Sequence, residues 1–116
     1  MSDIIETAIA HCQARGIVLV RGPCFDVTCE GVVACNWAGA VLLQHNPDDG
    51  HLHPGWLRKL CNVLEKDTYW FWRFNYGFNQ GRALQVYTEE GGKQIWHTDK
   101  ISESGNRLAR RYRLYP

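Results

Sequence analysis

Apolar residues in this chain recur at helical spacing in some stretches and alternate or run together in others, and that pattern sets out a series of elements. From Asp3 to Arg15 the apolar positions Ile5, Ala8, Ile9 and Cys12 lie on one helical face. Ser2 or Asp3 supplies an N-cap and Gly16 an end. The β-branched run Ile17-Val18-Leu19-Val20, bounded by Gly16 and Gly22-Pro23, reads as a short buried strand, followed by a connection from Phe25 to Gly31. Val32 to Leu43 is the longest apolar run, with Gly39 counted in it and only Asn36 interrupting. It is predicted to be the central buried helix, in which Ala34, Ala38 and Gly39 admit neighbouring backbones while Trp37 and Val41 fill the space between. His45 to Pro54 is a polar connection, and Pro54 suits the first turn of the next helix. There Trp56, Leu57, Leu60, Cys61 and Leu64 form a stripe opposite Arg58, Lys59, Asn62 and Glu65.

The next segment satisfies two periods at once. Tyr69-Trp70-Phe71-Trp72-Arg73-Phe74-Asn75-Tyr76-Gly77-Phe78 packs seven aromatic rings into ten residues. Asp67 could cap a helix here and Gly77 could end one. Trp72, Phe74, Tyr76 and Phe78 also alternate with Arg73, Asn75 and Gly77, which favours a half-buried strand. Each ring can bury roughly 150–250 Å², so the segment is either the centre of the core or, with one face in solvent, a stacking or docking surface. Beyond it, Ala83–Thr88 and Lys93–His97 flank Glu89-Glu90-Gly91-Gly92, the pattern of a β-hairpin. Ser102 to Arg113 reads as a terminal basic helix with Leu108 and Tyr112 at helical spacing, arginines around them and Asp99 or Ser102 as cap. These elements make a single α+β domain over residues 1–116. A buried central helix is joined by amphipathic helices and a small antiparallel sheet between residues 70 and 98.

Composition narrows the function classes. At 116 residues the chain can bury one core without staples. Hydrophobic and charged fractions of 45% and 22% are those of a globular protein. A formal net charge of +1 draws the chain as a whole to neither nucleic acid nor membrane. Charge is uneven, however: Lys100, Arg107, Arg110, Arg111 and Arg113 face only Glu103 in the last stretch, about +4 by sign counting. The N-terminal residues lack the basic and continuous apolar regions of a secretory signal. The apolar run at Val32–Leu43 falls short of the ~18–20 residues that a membrane span needs. Five cysteines, an odd number, fit reduced thiols in a cytoplasmic setting better than a disulfide framework.

Three segments together resemble the landmarks of small bacterial and phage domains of unknown function: Cys35-Asn36-Trp37-Ala38-Gly39-Ala40-Val41-Leu42-Leu43, Trp72–Asn79 and Gly105-Asn106-Arg107-Leu108-Ala109. In those domains a Cys-x-x-Gly-Ala helix precedes a Gly-Phe-Asp turn and a terminal Leu-Gly-Arg-like helix. The resemblance covers about two-thirds of this chain by position. Asn79 stands where an acid is usual, and the cysteine-to-glycine spacing differs by one. It implies a more helical middle and no activity.

Three constellations could carry chemistry. Cys35 at a helix start, with His97 in the hairpin and Asp99 or Asn75 to orient the imidazole, would make a nucleophile pair, since a helix N-terminus and a neighbouring base both favour the thiolate. The order cysteine, strand, histidine is similar to small papain-like peptidases of the cell-wall-cleaving kind. Their histidine opens the first strand after the helix, and here Leu84 sits near that place. Cys24, Cys29 and Cys35 followed by His45, His51 and His53 supply thiolates and imidazoles in number, but no Cys-x-x-Cys knuckle, so no metal is expected. Arg107, Arg110, Arg111 and Arg113 with Trp72 and Tyr76 would combine phosphate charge with base stacking, yet no nucleic-acid-binding motif accompanies them. Glu89-Glu90-Gly91-Gly92-Lys93 places two acids where a phosphate loop needs bare backbone N–H groups.

The expectation is therefore a non-catalytic cytoplasmic binding or interaction module. It has no cofactor, its partner is a protein, a small ligand or a second copy of itself, and it associates with neither nucleic acid nor membrane. The alternatives are a Cys-His hydrolase using Cys35 and His97, and a weak nucleic-acid binder acting through the basic C-terminal helix.

Overall fold

The computed structural model describes residues 2–45, 52–80, 85–90, 93–98 and 100–114. Helices and strands segregate as expected of an α+β protein, and the chain divides into two compact units, Met1–Thr68 and Tyr69–Pro116.

The first unit opens with helix α1, Ser2–Ala14, which buries Ile5, Ala8, Ile9 and Cys12, the face that the spacing predicts. It closes in a Schellman turn: Gly16, at φ 78°, donates to the Gln13 carbonyl at 3.0 Å and Ile17 to the Cys12 carbonyl at 2.9 Å. Strand β1, Val18–Leu19, follows directly. Strands β2 (Phe25–Thr28) and β3 (Gly31–Cys35) form an antiparallel hairpin, and β1 pairs parallel to β3, giving the order β1-β3-β2. The hairpin turn is held by Thr28, whose hydroxyl donates to the Gly31 carbonyl at 3.3 Å and accepts from the Glu30 amide at 3.2 Å. This mixed sheet lies upstream of the region where a sheet was expected.

The run Val32–Leu43 is accordingly not one helix. Val32 and Val33 belong to β3, and helix α2 occupies Trp37–His45. The change of structure falls on Asn36, the one polar residue in the run. Its side-chain oxygen accepts from the Gly39 amide at 2.8 Å, an N-cap bond to the third helical residue, and its amide group donates to the Gly22 carbonyl at 2.9 Å. Every residue from Trp37 to Leu43 is buried, so α2 is the central buried helix, with α1 and helix α3, Trp56–Leu64, packed on it. Gly39 faces the loop before β2. A Cβ there would overlap the Cys24 carbonyl oxygen and come within 3.2 Å of Cys35 Cβ. α3 buries Leu60, Cys61 and Leu64 and ends on Glu65, which takes the left-handed conformation at φ 56°.

In the second unit the aromatic segment is a helix rather than the strand that alternation favours: α4 runs from Thr68 to Gln80. A strand would send Trp72, Phe74, Tyr76 and Phe78 to one side. Instead Phe71, Phe74, Gly77 and Phe78 are buried while Tyr69, Trp72 and Tyr76 are exposed, a helical division. Gly77 does not end the helix; it lies within it, where helix α5, Lys100–Arg111, crosses. A Cβ on Gly77 would overlap the Ser102 carbonyl oxygen, and one on Gly105 would overlap the Phe74 carbonyl oxygen. Two polar side chains fully buried at this crossing serve α4 carbonyls: the Ser102 hydroxyl donates to Arg73 at 3.1 Å and the Asn106 amide to Gly77 at 3.3 Å. Strands β4 (Gln85–Glu90) and β5 (Lys93–Thr98) form the expected antiparallel hairpin, in register from Gln85 opposite Thr98 to Glu90 opposite Lys93. Ala83, Leu84 and the Gly91-Gly92 turn lie outside the described residues.

Candidate functional sites

Two places gather chemically capable side chains, one in each unit. In the second unit, Tyr69, Trp72 and Tyr76 recur along α4 at spacings of three and four and are 60%, 54% and 48% exposed. Rings this open gain little from the fold that carries them. The row is also ordered internally. Phe71 meets the Trp72 ring edge-on at 4.9 Å with planes 80° apart, and the Arg73 guanidinium lies 5.5 Å from the centre of the Tyr69 ring. On the opposite side Trp70 stacks on Phe74 at 4.7 Å, which leads into the buried face. Trp72 and Tyr76, two of the sequence-derived binding residues, thus belong to one solvent-facing row, to which the structure adds Tyr69 and Arg73.

The arginines proposed as their partners lie on or just beyond α5. Arg107, Arg110, Arg111 and Arg113 are all exposed. Arg107 is bonded to Glu103 one turn earlier at 2.9 Å, which neutralises part of the basic face. Arg113 stands in the left-handed conformation at φ 58° in a closing turn, where its amide donates to Arg110 and that of Leu114 to Ala109.

In the first unit, Cys12, Cys24 and Cys35 approach one another around the start of α2. Cys35 is the last residue of β3, not the first residue of a helix, and its side chain is wholly buried. Its thiol is influenced most by that of Cys12, which comes from the last turns of α1. The two thiols are pushed apart in acidity. Cys35 holds its proton far above the ordinary thiol range because it donates to Cys12, because it is buried, and because Cys12 and Cys24 are close in charge. Cys12 is lowered from 9.0 to about 7, first by accepting that hydrogen bond and further by the Arg15 cation, against the opposing effect of burial. Burial raises the Cys24 thiol, partly offset by a hydrogen bond with Asn36.

This arrangement departs from the Cys35–His97 pair in physical terms. A nucleophilic cysteine needs a lowered pKa and a path to solvent, whereas Cys35 is buried and strongly protonated. The thiol shifted toward greater acidity is instead Cys12, which the sequence marked only as a core position and which is itself buried. His97 lies in β5 opposite Val86, Asn75 lies on α4, and Asp99 is outside the described residues. Cys29 is exposed at the β2–β3 turn, and His51 lies outside the described residues. Among the described residues no three His, Cys, Asp or Glu side chains form a group that could hold a metal ion, and no helix is long and apolar enough to cross a membrane. Comparison with family models, with curated proteins and with solved structures finds no match.

Proposed function

We propose that this chain is a non-catalytic cytoplasmic interaction module that docks through the aromatic row Tyr69, Trp72 and Tyr76 of α4, and that the partner seated there is a second copy. The observation that carries the reading is the exposure of three large rings on one helical face, in a segment that has buried Phe71, Phe74 and Phe78 on the other. Aromatic rings are the side chains most often responsible for binding energy at interfaces, because they bring large area at low entropic cost. A row on a helix pairs readily with itself across a two-fold axis, where each residue meets the same patch of its partner. The five cysteines fit a reducing compartment.

The hydrolase reading has less support, since Cys35 is buried and its thiol is pushed up rather than down. Iodoacetamide near neutral pH separates the two. The interaction module expects the exposed Cys29 to be alkylated well before Cys35, whereas a rapid, single modification at Cys35 would favour a catalytic thiol. Sedimentation velocity at increasing protein concentration tests the docking itself. A dimer that persists when salt is raised to ~0.5 M is expected, because apolar contacts are not screened as ion pairs are. A monomer at high micromolar concentration in both salts would count against it.

A further inference from the structure

The order of residues along the exposed face of α4 bears on how two copies can meet. The helix is held from the other side, where its backbone touches α5 at Gly77 against Ser102 and at Phe74 against Gly105, so the side carrying Tyr69, Trp72 and Tyr76 is the one turned outward. Arg73, the one charged residue of α4, is half-buried beside that row, with its guanidinium 5.5 Å from the centre of the Tyr69 ring. The Trp72 ring is braced by the buried Phe71, edge-on at 4.9 Å. At about 3.6 residues per turn, Tyr69 and Tyr76 stand nearly in line, two turns or about 10 Å apart, and Trp72 and Arg73 flank the midpoint of that line on either side. The face therefore reads tyrosine, tryptophan beside arginine, tyrosine, with like residues at its two ends.

We propose that α4 of one copy packs antiparallel on α4 of the second, across a two-fold axis passing between Trp72 and Arg73, and that Arg73 is the residue that selects this orientation; this presupposes that the row docks on a second copy. An axis at that point sets Tyr69 against the partner's Tyr76 and Trp72 against the partner's Arg73, and the symmetry makes each contact twice. The tyrosines stack on one another, and each guanidinium lies over an indole, the aromatic face that attracts a cation most strongly.

Charge separates this arrangement from the parallel one. In a parallel two-fold pair every residue of the seam faces its own counterpart. Arg73 then meets the partner's Arg73 with no acid on α4 between them, and the two helix dipoles lie side by side in the same sense. Antiparallel packing removes both repulsions, placing the cations on opposite sides of the axis and each against an aromatic ring. Register is fixed by the same residues. Sliding one helix by a turn leaves a tyrosine of each row without its counterpart and carries Arg73 away from the partner's Trp72. A partner of acidic chemistry would satisfy Arg73 but would make no use of matching tyrosines at equal distances from it.

Two measurements test the orientation. Sedimentation equilibrium of Arg73→Gln beside the wild type reads a sign: the antiparallel dimer loses two cation contacts and its dissociation constant should rise about tenfold, whereas a parallel dimer would be relieved of a repulsion and tighten. The Arg73 carbonyl, which accepts from Ser102, is untouched by the substitution. Disulfide trapping reads the register. Tyr69→Cys and Tyr76→Cys, each combined with Cys29→Ser to remove the exposed native thiol, are oxidised with diamide separately and as an equimolar mixture, and the linkages are mapped by mass spectrometry. A link between positions 69 and 76 that forms in the mixture is expected, with neither variant linking to itself. Self-linked 69 or 76, an Arg73→Gln dimer as tight as the wild type or tighter, or no link in the mixture while the wild type sediments as a dimer would overturn the orientation and leave docking through α4 standing. A wild type that stays monomeric would overturn both. Trapping alone decides if Arg73→Gln does not fold.

Discussion

Asn36 shows how much can rest on one side chain. It interrupts an apolar run, and read for pattern alone it is a blemish in a helix. In the structure it ends β3, caps α2 through Gly39 and satisfies the Gly22 carbonyl, all while 2% exposed. Asn36→Ala is therefore expected to cost about 2–3 kcal/mol, a lost cap plus a buried carbonyl left without its donor, as read from denaturant titration. Asn36→Asp keeps the cap oxygen but buries a carboxylate and sets its second oxygen against the Gly22 carbonyl, so it should cost at least as much. Trp37, next in sequence and wholly buried, should cost about 3–5 kcal/mol on truncation to Ala, because the surrounding helices cannot close the cavity fully. Cys12 adds a pH dependence. Its folded pKa is depressed to about 7, below the ordinary thiol value near 9.0, so the native state holds the thiolate more readily than the unfolded chain. Its contribution to stability is fully present above the unfolded value and is lost as pH falls through the folded one. Between pH 6 and 8.5 the wild type should gain stability relative to Cys12→Ser, which chemical unfolding at stepped pH would measure.

Among elements, α1, α3 and the β4–β5 hairpin were legible because in each a single period dominates, while α5 was legible as a helix but begins at Lys100, so that Ser102, expected as a cap, lies buried within it. The places where reading failed are those where two periods or two roles share the same residues. In the aromatic segment the alternation of Trp72, Phe74, Tyr76 and Phe78 competes with the three-and-four spacing of Phe71, Phe74 and Phe78, and hydrophobicity alone gives Trp72 and Phe74 the same weight. What settles it is α5, whose buried face is built from Ser102, Gly105, Asn106 and Ala109 together with Leu108. Small and polar residues carry no hydrophobic signal, so a helix crossing of this closeness is nearly invisible in sequence. β2 was missed for a related reason: its residues are exposed or half-exposed, and a strand without a buried face reads as a connection. The crossing makes a firm prediction. Gly77→Ala and Gly105→Ala should each destabilise by at least about 2 kcal/mol, since the added methyl meets backbone that cannot swing aside. The closing turns predict the opposite sign. Glu65→Gly, at a left-handed position that bonds to Asn62 and Cys61, should stabilise by about 0.5–1 kcal/mol in the same titration.

For the whole molecule, the candidate sites were half legible. Trp72 and Tyr76 were identifiable from aromatic density, but their solvent exposure depended on knowing that the segment is helical. The thiol pair depended on bringing together residues 12 and 35, which no local pattern links. Overall charge gives the basic face of α5 little reach: the net charge is +1 and Arg107 is already paired with Glu103. Fluorescence anisotropy with labelled oligonucleotides at ~50 mM salt should accordingly show no binding at tens of micromolar protein. The central claim is that α4 docks through its exposed rings, and the most direct measurement is sedimentation equilibrium of the wild type beside two double variants, Trp72→Ala with Tyr76→Ala and Arg110→Ala with Arg111→Ala. The account predicts a dimer for the wild type and for the arginine variant, and a shift toward monomer of about tenfold or more in dissociation constant when the rings are removed. A dimer that survives loss of both rings, or one that is lost with the arginines instead, would contradict it.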